Sequence, residues 1–529
     1  MRLWWSLLLF VGCSSALAAG LGTTAALDPA GRVWIAYAEG PSKETHVAIA
    51  RFDERTSRFG TPIRVNATAE PVAADGENRP KLAFGPRGEL YVTWTSPTSE
   101  KYTGDVRFAR SLDGGATWST PIVVHRDRQR ISHRFESIIV DGEGRVFVAW
   151  LDKRDLEKEG PGYAGAALYY AYSENRGESW HGDFKVADHS CECCRIALAL
   201  DASGNPIAMW RHVFEPNERD HAITMLARAA QTPEVARVTF DRWAIDACPH
   251  HGPSLAIDDQ AQHAVWFNQI DGQGRAFYGQ LASSREPDRV MALPQGAAHA
   301  DLAAIDGLVV IAWKRYDGSA TLVETLISRD QGASFDEGPI LRTRGESDQP
   351  RLVASGDDVM LVWRRAEGTE VVRLTELPST SGTSTRTPER AARDVEPTSA
   401  LRPFGDSTIK ALEAHGRGAP FWLVLWDLEC GYCMKSLQNI ASAQKANPAL
   451  RVVTVTTDPL SRAEEIVARL KELGVRSEMY AFDGASQEAL RYAIDPTWAG
   501  EKPRAYRYAA NGERTAMSGV LSVDEIAGR

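Results

Sequence analysis

The chain has 529 residues, of which 43% are hydrophobic and 25% charged, and its formal net charge is -10. Single hydrophobic cores stop growing at about 250 to 300 residues, so two or more domains are expected. The composition is that of a globular protein with no basic footprint for nucleic acid, and its mild acidity names no partner.

At the N-terminus, Arg2 precedes an apolar run over residues 3–11 and small residues up to Gly20. This is the pattern of a secretory signal peptide, too short to span a bilayer, with cleavage expected after Ala18. Phe10-Val11-Gly12-Cys13 is the alternative, a weak bacterial lipoprotein box that would anchor the chain at Cys13. Either way the expected compartment is the periplasm, and no later segment is apolar enough to cross a membrane.

Residues 19–377 carry a repeat: a short apolar strand, a turn rich in Gly and Asp, and an alternating strand closed by an aromatic residue. The closing residues are Tyr37, Trp94, Trp150, Trp210, Trp266, Trp313 and Trp363. A period of roughly 50 to 60 residues suits one four-stranded propeller blade, so the fold class expected here is all-β, a propeller of seven blades in preference to six. Ser111, Asp113, Gly115, Thr117 and Trp118 form a Ser-x-Asp-x-Gly-x-Thr-Trp turn, with looser versions starting at Ser173 and Ser328. These turns are Asp boxes, and through them this part of the chain resembles the sialidase-like (BNR repeat) propellers. The motif speaks for fold, because the acid caps turn N–H groups and the aromatic packs into the blade. Sialidase activity would need an arginine triad. Arg79, Arg134 and Arg195 are its candidates, but the family's Arg-Ile-Pro signature is absent and ordinary loop roles are the preferred reading.

Seven cysteines occur, at positions 13, 191, 193, 194, 248, 430 and 433. Cys191-Glu192-Cys193-Cys194 precedes the first strand of the fourth repeat, and Cys248-Pro249-His250-His251 that of the fifth. Equivalent loops of adjacent blades are neighbours at one mouth of a propeller, so the two groups are expected to meet. Thiolates with imidazoles select soft or borderline metals, which makes Cys191, Cys193, Cys194, Cys248, His250 and His251 a candidate metal site, with copper preferred over zinc. The competing reading is one or two structural disulfides between the loops. The same slot in other repeats holds His133 and Arg134, His299, and Asp348.

Residues 378–403 are rich in Ser, Thr, Pro and Arg without apolar periodicity and are expected as a linker. From 404 to 529 strands and helices alternate: helix 408–414, strand 420–426, a helix opened by Cys430-Gly431-Tyr432-Cys433, strand 451–456, helix 462–473, strand 478–482, helix 487–493 and strand 504–508. Strand, Cys-x-x-Cys, helix is the thioredoxin order, and the domain resembles periplasmic thioredoxin-like proteins, with a dipeptide familiar from disulfide isomerases. The resemblance implies that Cys430 attacks, Cys433 resolves, and Pro503 is the cis-proline beside the sulfurs. Val424 replaces the family's buried acid and Glu429 its tryptophan, which leaves Asp427 or Glu429 as proton carriers.

The expectation is a periplasmic thiol–disulfide oxidoreductase coupled to a copper-binding or copper-reducing site on its own propeller. A membrane or periplasmic thiol donor would recharge it, a metal transporter or protein client is a further partner, and a monomer is expected. The alternatives are a client- or glycan-binding propeller carrying a disulfide reductase or isomerase, and a glycosidase with a redox appendage.

Overall fold

The computed structural model describes residues 21–375 and 401–528, apart from 42–43, 75, 100–101, 157–164, 228–232, 271, 283–284, 357, 406, 417–418 and 484–485. The expected signal peptide, Cys13 and most of the expected linker therefore lie outside the described residues.

The first part of the chain is a seven-bladed β-propeller, each blade an antiparallel sheet of consecutive strands. The third blade is representative, with strands His133–Val140, Val146–Asp152, Ala166–Ser173 and His181–Ser190. The first strands of the blades pack side by side around the axis, and Thr23–Leu27 meets Arg351–Ser355 to close the ring. Closure needs no exchanged strand. The Thr23 N–H donates to Asp348 at 2.6 Å and Arg79 pairs with the same carboxylate at 2.8 Å, both deeply buried. The closing aromatics do what their spacing predicts, since Trp94, Trp150, Trp210 and Trp363 are almost wholly buried between sheets.

The three Asp boxes form the same turn. In the first, Ser111 Oγ accepts the Gly115 N–H at 2.8 Å, and Asp113 accepts the Thr117 N–H at 2.8 Å. In the register of the third blade Val146 stands opposite Ser173 and Asp152 opposite Ala167. The Asp-box end is thus the far end from the mouth that holds His133, which pairs with Asp152.

The second part is an α/β domain of the thioredoxin-like class. Its central strand Phe421–Trp426 is flanked by parallel Val452–Pro459 and antiparallel Arg504–Tyr508, in a six-stranded mixed sheet. The expected elements are present to within three residues at either end, and the strands Glu478–Phe482 and Arg504–Tyr508 match their expected bounds. An additional first strand, Leu401–Phe404, falls inside the stretch expected as linker. It is four residues long and contains a proline, so only its parallel pairing with Glu478–Phe482 identifies it. A hairpin strand, Arg514–Ser518, and a last helix, Val523–Ala527, complete the domain. No helix among the described residues is long and apolar enough to cross a membrane.

The α/β domain sits on the mouth of the propeller. Arg134 pairs with Glu429 at 2.7 Å, Arg219 donates to the Tyr432 hydroxyl at 2.7 Å, and Val520 N–H donates to Asp246 O at 3.0 Å. One apolar cluster runs from the third and fourth blades through the cysteines into the core behind Trp426.

Candidate redox and metal site

Cys430 is the N-cap of the helix Gly431–Ala446. A helix start offers free N–H groups and the positive end of the dipole, and the Cys433 N–H is 3.1 Å from the Cys430 sulfur. Cys430 and Cys433 form a disulfide with Cα atoms 5.2 Å apart. Both are fully buried, shielded from solvent by the propeller on one side and their own helix on the other. The Lys502–Pro503 peptide is cis, and the Lys502 carbonyl oxygen is 3.6 Å from the Cys430 sulfur.

That same carbonyl accepts the Cys248 N–H at 2.7 Å, while the Lys502 N–H donates to the Cys248 carbonyl at 3.1 Å. Cys248 and Lys502 thus form a two-bond antiparallel bridge between the domains. A propeller cysteine is held by its backbone against the residue whose carbonyl lies 3.6 Å from the Cys430 sulfur.

The two cysteine loops meet, as the repeat register predicts. A Cβ on Gly252 would lie 2.6 Å from the Arg195 backbone nitrogen, so glycine is what lets the fifth-blade loop close on the fourth. Cys191, Cys193, Cys194 and Cys248 are free thiols, all buried. Cys191 Sγ lies 3.8 Å from that of Cys193 and 3.7 Å from that of Cys194. Two sets of donor atoms lie within 4.8 Å of one another: Cys191, Cys193 and Cys194, and Cys193, Cys248 and His250. Cys193 belongs to both. His251 stands apart, its Nε2 on the Ala499 carbonyl at 3.0 Å and its ring stacked between Phe267 and His299.

The electrostatics divide the thiols. Hydrogen bonds from Cys193 and Cys194, helped by the Arg219 and Arg211 guanidiniums, hold Cys191 well below the ordinary thiol range. Burial pushes Cys193 and Cys194 up. In Cys248 the contact with Cys193 pulls down, but burial together with Glu192, Cys191 and Asp427 outweighs it and the thiol is raised. Burial, then Lys502, lowers His250 to about 4, so at neutral pH it is a neutral imidazole with a lone pair to offer. The lowered thiol, Cys191, and the neutral imidazole, His250, belong to different donor sets, joined through Cys193.

Beneath the disulfide, Asp427 is buried between Lys502, with which it forms an ion pair, and His250 at 3.9 Å. Burial opposes its charge but Lys502 prevails, and its carboxyl is lowered. Asp458 is raised to about 6 by burial and by Asp427. It accepts from the Leu428 N–H at 2.8 Å, which places a carboxyl able to carry a proton near neutral pH directly under the Cys-x-x-Cys turn. Glu429, the other sequence candidate, is committed to Arg134. Val424 is buried in the sheet among apolar neighbours.

Three residues of the site escaped the sequence reading. Arg219, 3.6 Å from Cys191 Sγ, joins the sulfur cluster to Tyr432 and carries no local motif. Lys502 precedes the expected cis-proline, and no sequence pattern signals the ion pair of its amine or its backbone bridge. Asp458 follows Thr456-Thr457 at the polar end of an apolar strand, and its parallel pairing beside the Cys-x-x-Cys strand was the available signal.

The mouth residues have other work. Arg79 is bound to Asp348, and Arg195 to the carbonyls of Pro253 and Ala300 with Glu77 at 3.5 Å. His299 lies against Glu77 and Gln349. Arg134 points to the α/β domain, so the three arginines make no common anion site.

No protein-family model matches the chain, and no curated protein does. Among solved structures, a Hadza microbial sialidase is similar over 64% of this chain and 74% of its own, at 13% identity and TM-score 0.39. An ulvan lyase, a polysaccharide lyase, covers 68% and 93% at 12% identity and TM-score 0.42. A secreted Mycobacterium tuberculosis disulfide oxidoreductase covers 22% and 82% at 21% identity and TM-score 0.19. None of these likenesses assigns an activity to the chain.

Proposed function

We propose that this chain is an exported thiol–disulfide oxidoreductase whose substrate is its own propeller, and that the thiols it maintains bind copper as Cu(I). The observation that carries the reading is the backbone bridge between Cys248 and Lys502, which fixes a substrate cysteine beside Cys430. The reduced pair works on a propeller disulfide that includes Cys248, with Cys193 as its nearest partner. Cys430 thiolate attacks Cys248 Sγ and expels Cys193 as thiolate. Cys433 thiolate then attacks Cys430 Sγ, the Cys430–Cys248 bond breaks, and Cys248 leaves as thiolate. Two electrons pass from pair to propeller, and the protons of the dithiol are taken up at the released thiolates, with Asp458 as carrier.

Sulfur donors with one imidazole favour Cu(I) among the available metals, and Cys193, Cys248 and His250 supply that set. Two thiolates giving one electron each to two Cu(II) ions would close as a disulfide, which the Cys430–Cys433 dithiol reopens. An external thiol donor must recharge the pair.

The test is the Cys433→Ser chain, reduced and then mildly oxidised. A Cys430–Cys248 mixed disulfide is expected as the main cross-link in peptide mass mapping. Cross-links to other proteins with Cys248 left free would favour a client-directed enzyme instead. Anaerobic Cu(I) titration of the reduced chain should lose stoichiometry when the four propeller cysteines become serine, and an unchanged value rejects the copper site.

A further inference from the structure

One blade away from the sulfur cluster, on the third and second blades, a separate group of polar side chains is buried without a role in thiol exchange. His125 and His133 are fully buried with rings stacked 3.7 Å apart, and Asp105 lies beside them with its side chain 36% exposed. Asp105 Oδ1 is 3.5 Å from His125 Nε2 and 4.0 Å from His133 Nδ1, and one donor atom of each residue lies within 4.8 Å of the others.

We propose that Asp105, His125 and His133 form a second metal site, for a borderline divalent cation of the Zn2+ or Cu2+ kind. Ligand atoms around a tetrahedral zinc are about 3.4 Å apart, and the three donors are already within 4.8 Å of one another, so binding requires them to close up and the stacked rings to tilt toward a common point. The proton position agrees for His125, and His133 has to move its proton from Nδ1, now 3.3 Å from the Gly104 carbonyl, to Nε2. His125 Nδ1 donates to the Asp127 carbonyl at 2.7 Å, which leaves the lone pair on Nε2, facing Asp105. His133 Nε2 is buried with no hydrogen-bond partner among the described residues, 3.4 Å from Asp127 Oδ1 and 3.7 Å from Asp152 Oδ2. When Nδ1 is the ligand the ring proton belongs on Nε2, aimed at those carboxylates, and the orphan atom is satisfied.

Each imidazole then turns its second nitrogen to an oxygen acceptor, as metal-bound histidines generally do. Two groups compete with the ion: the Val106 N–H, 3.2 Å from His125 Nε2, and the Gly104 carbonyl, 3.3 Å from His133 Nδ1, a contact that metal binding would replace. Three protein ligands leave one position to solvent on the Asp105 side. Nitrogen and oxygen donors select differently from sulfur, so this site would take a divalent ion that the Cu(I) site disfavours. It does not depend on the redox reading.

The experiment is Co2+ titration of the full chain with the four propeller cysteines changed to serine, followed by Zn2+ competition. One equivalent is expected to give visible d–d bands without sulfur charge transfer, and Asp105→Asn, a substitution at a part-exposed position, should weaken binding at least tenfold with unchanged circular dichroism. In the wild-type chain Asp105→Asn should remove one equivalent and leave the sulfur-bound ions. Equal stoichiometry and affinity in the presence and absence of the substitution overturns the site.

Discussion

His212 shows how a buried imidazole reports on folding. Its ring meets Phe214 at 4.6 Å and Trp210 at 6.1 Å, and its Nδ1 is buried without a hydrogen-bond partner. Burial, then His189, lowers it from 6.5 to about 4. In that window the unfolded chain takes up a proton that the folded chain refuses, so the stability held above pH 6.5 is lost as pH falls toward 4. His212→Gln should flatten this loss by up to about 1.4 kcal/mol per pH unit, seen in urea unfolding between pH 7 and 4.5. Equal slopes in both proteins would mean that the ring is already charged. Single residues of this kind are where sequence reasoning reaches least far. Cys191, Cys193, Cys194, Cys248 and His250 were legible because the repeat register put their loops side by side. His251 was read with them, but its partners, Ala499 and His299, are 248 and 48 positions away, and no local pattern signals such contacts.

At the scale of the element, the propeller is built from turns whose side chains replace missing backbone partners. Ser173 is fully buried, and its Oγ accepts the Gly177 N–H at 2.8 Å. Ser173→Ala leaves that amide unpaired, a cost of about 1 to 3 kcal/mol. The turn is at the end of the blade remote from the α/β domain. The expected result is a lower thermal midpoint with an undiminished Cys430–Cys248 cross-link in the Cys433→Ser background, and a lost cross-link would show that the turn holds more than its own blade. Elements were the most legible scale. The closing aromatics mark every inner hairpin because a sheet-on-sheet core needs a large side chain at the same height in each blade. Leu401–Phe404 was missed for the opposite reason, as two of its four side chains are exposed and its identity comes from a strand nearly 80 residues later.

For the whole molecule, the decisive feature is that docking buries the redox pair. With Cys430 and Cys433 fully covered and Cys248 bridged to Lys502, the docked arrangement suits exchange within the chain and excludes a protein-sized thiol donor. Under the proposed function, recharging by such a donor requires the domains to part, and the contacts between them set how often they do. Arg134–Glu429 is the most accessible of these to alter, with side chains 9% and 30% exposed. Arg134→Glu sets two carboxylates face to face. A penalty of about 1 to 2 kcal/mol on docking corresponds to a 5- to 30-fold larger open population. Reduction of Cys430–Cys433 by a small thioredoxin-type protein should accelerate by that factor, whereas formation of the Cys430–Cys248 cross-link should slow. A small dithiol, which needs less clearance, should gain less. If the protein donor reduces both chains at one rate, the pair is reached without undocking, and the propeller is then a substrate that must compete with solvent-borne partners for the same sulfur.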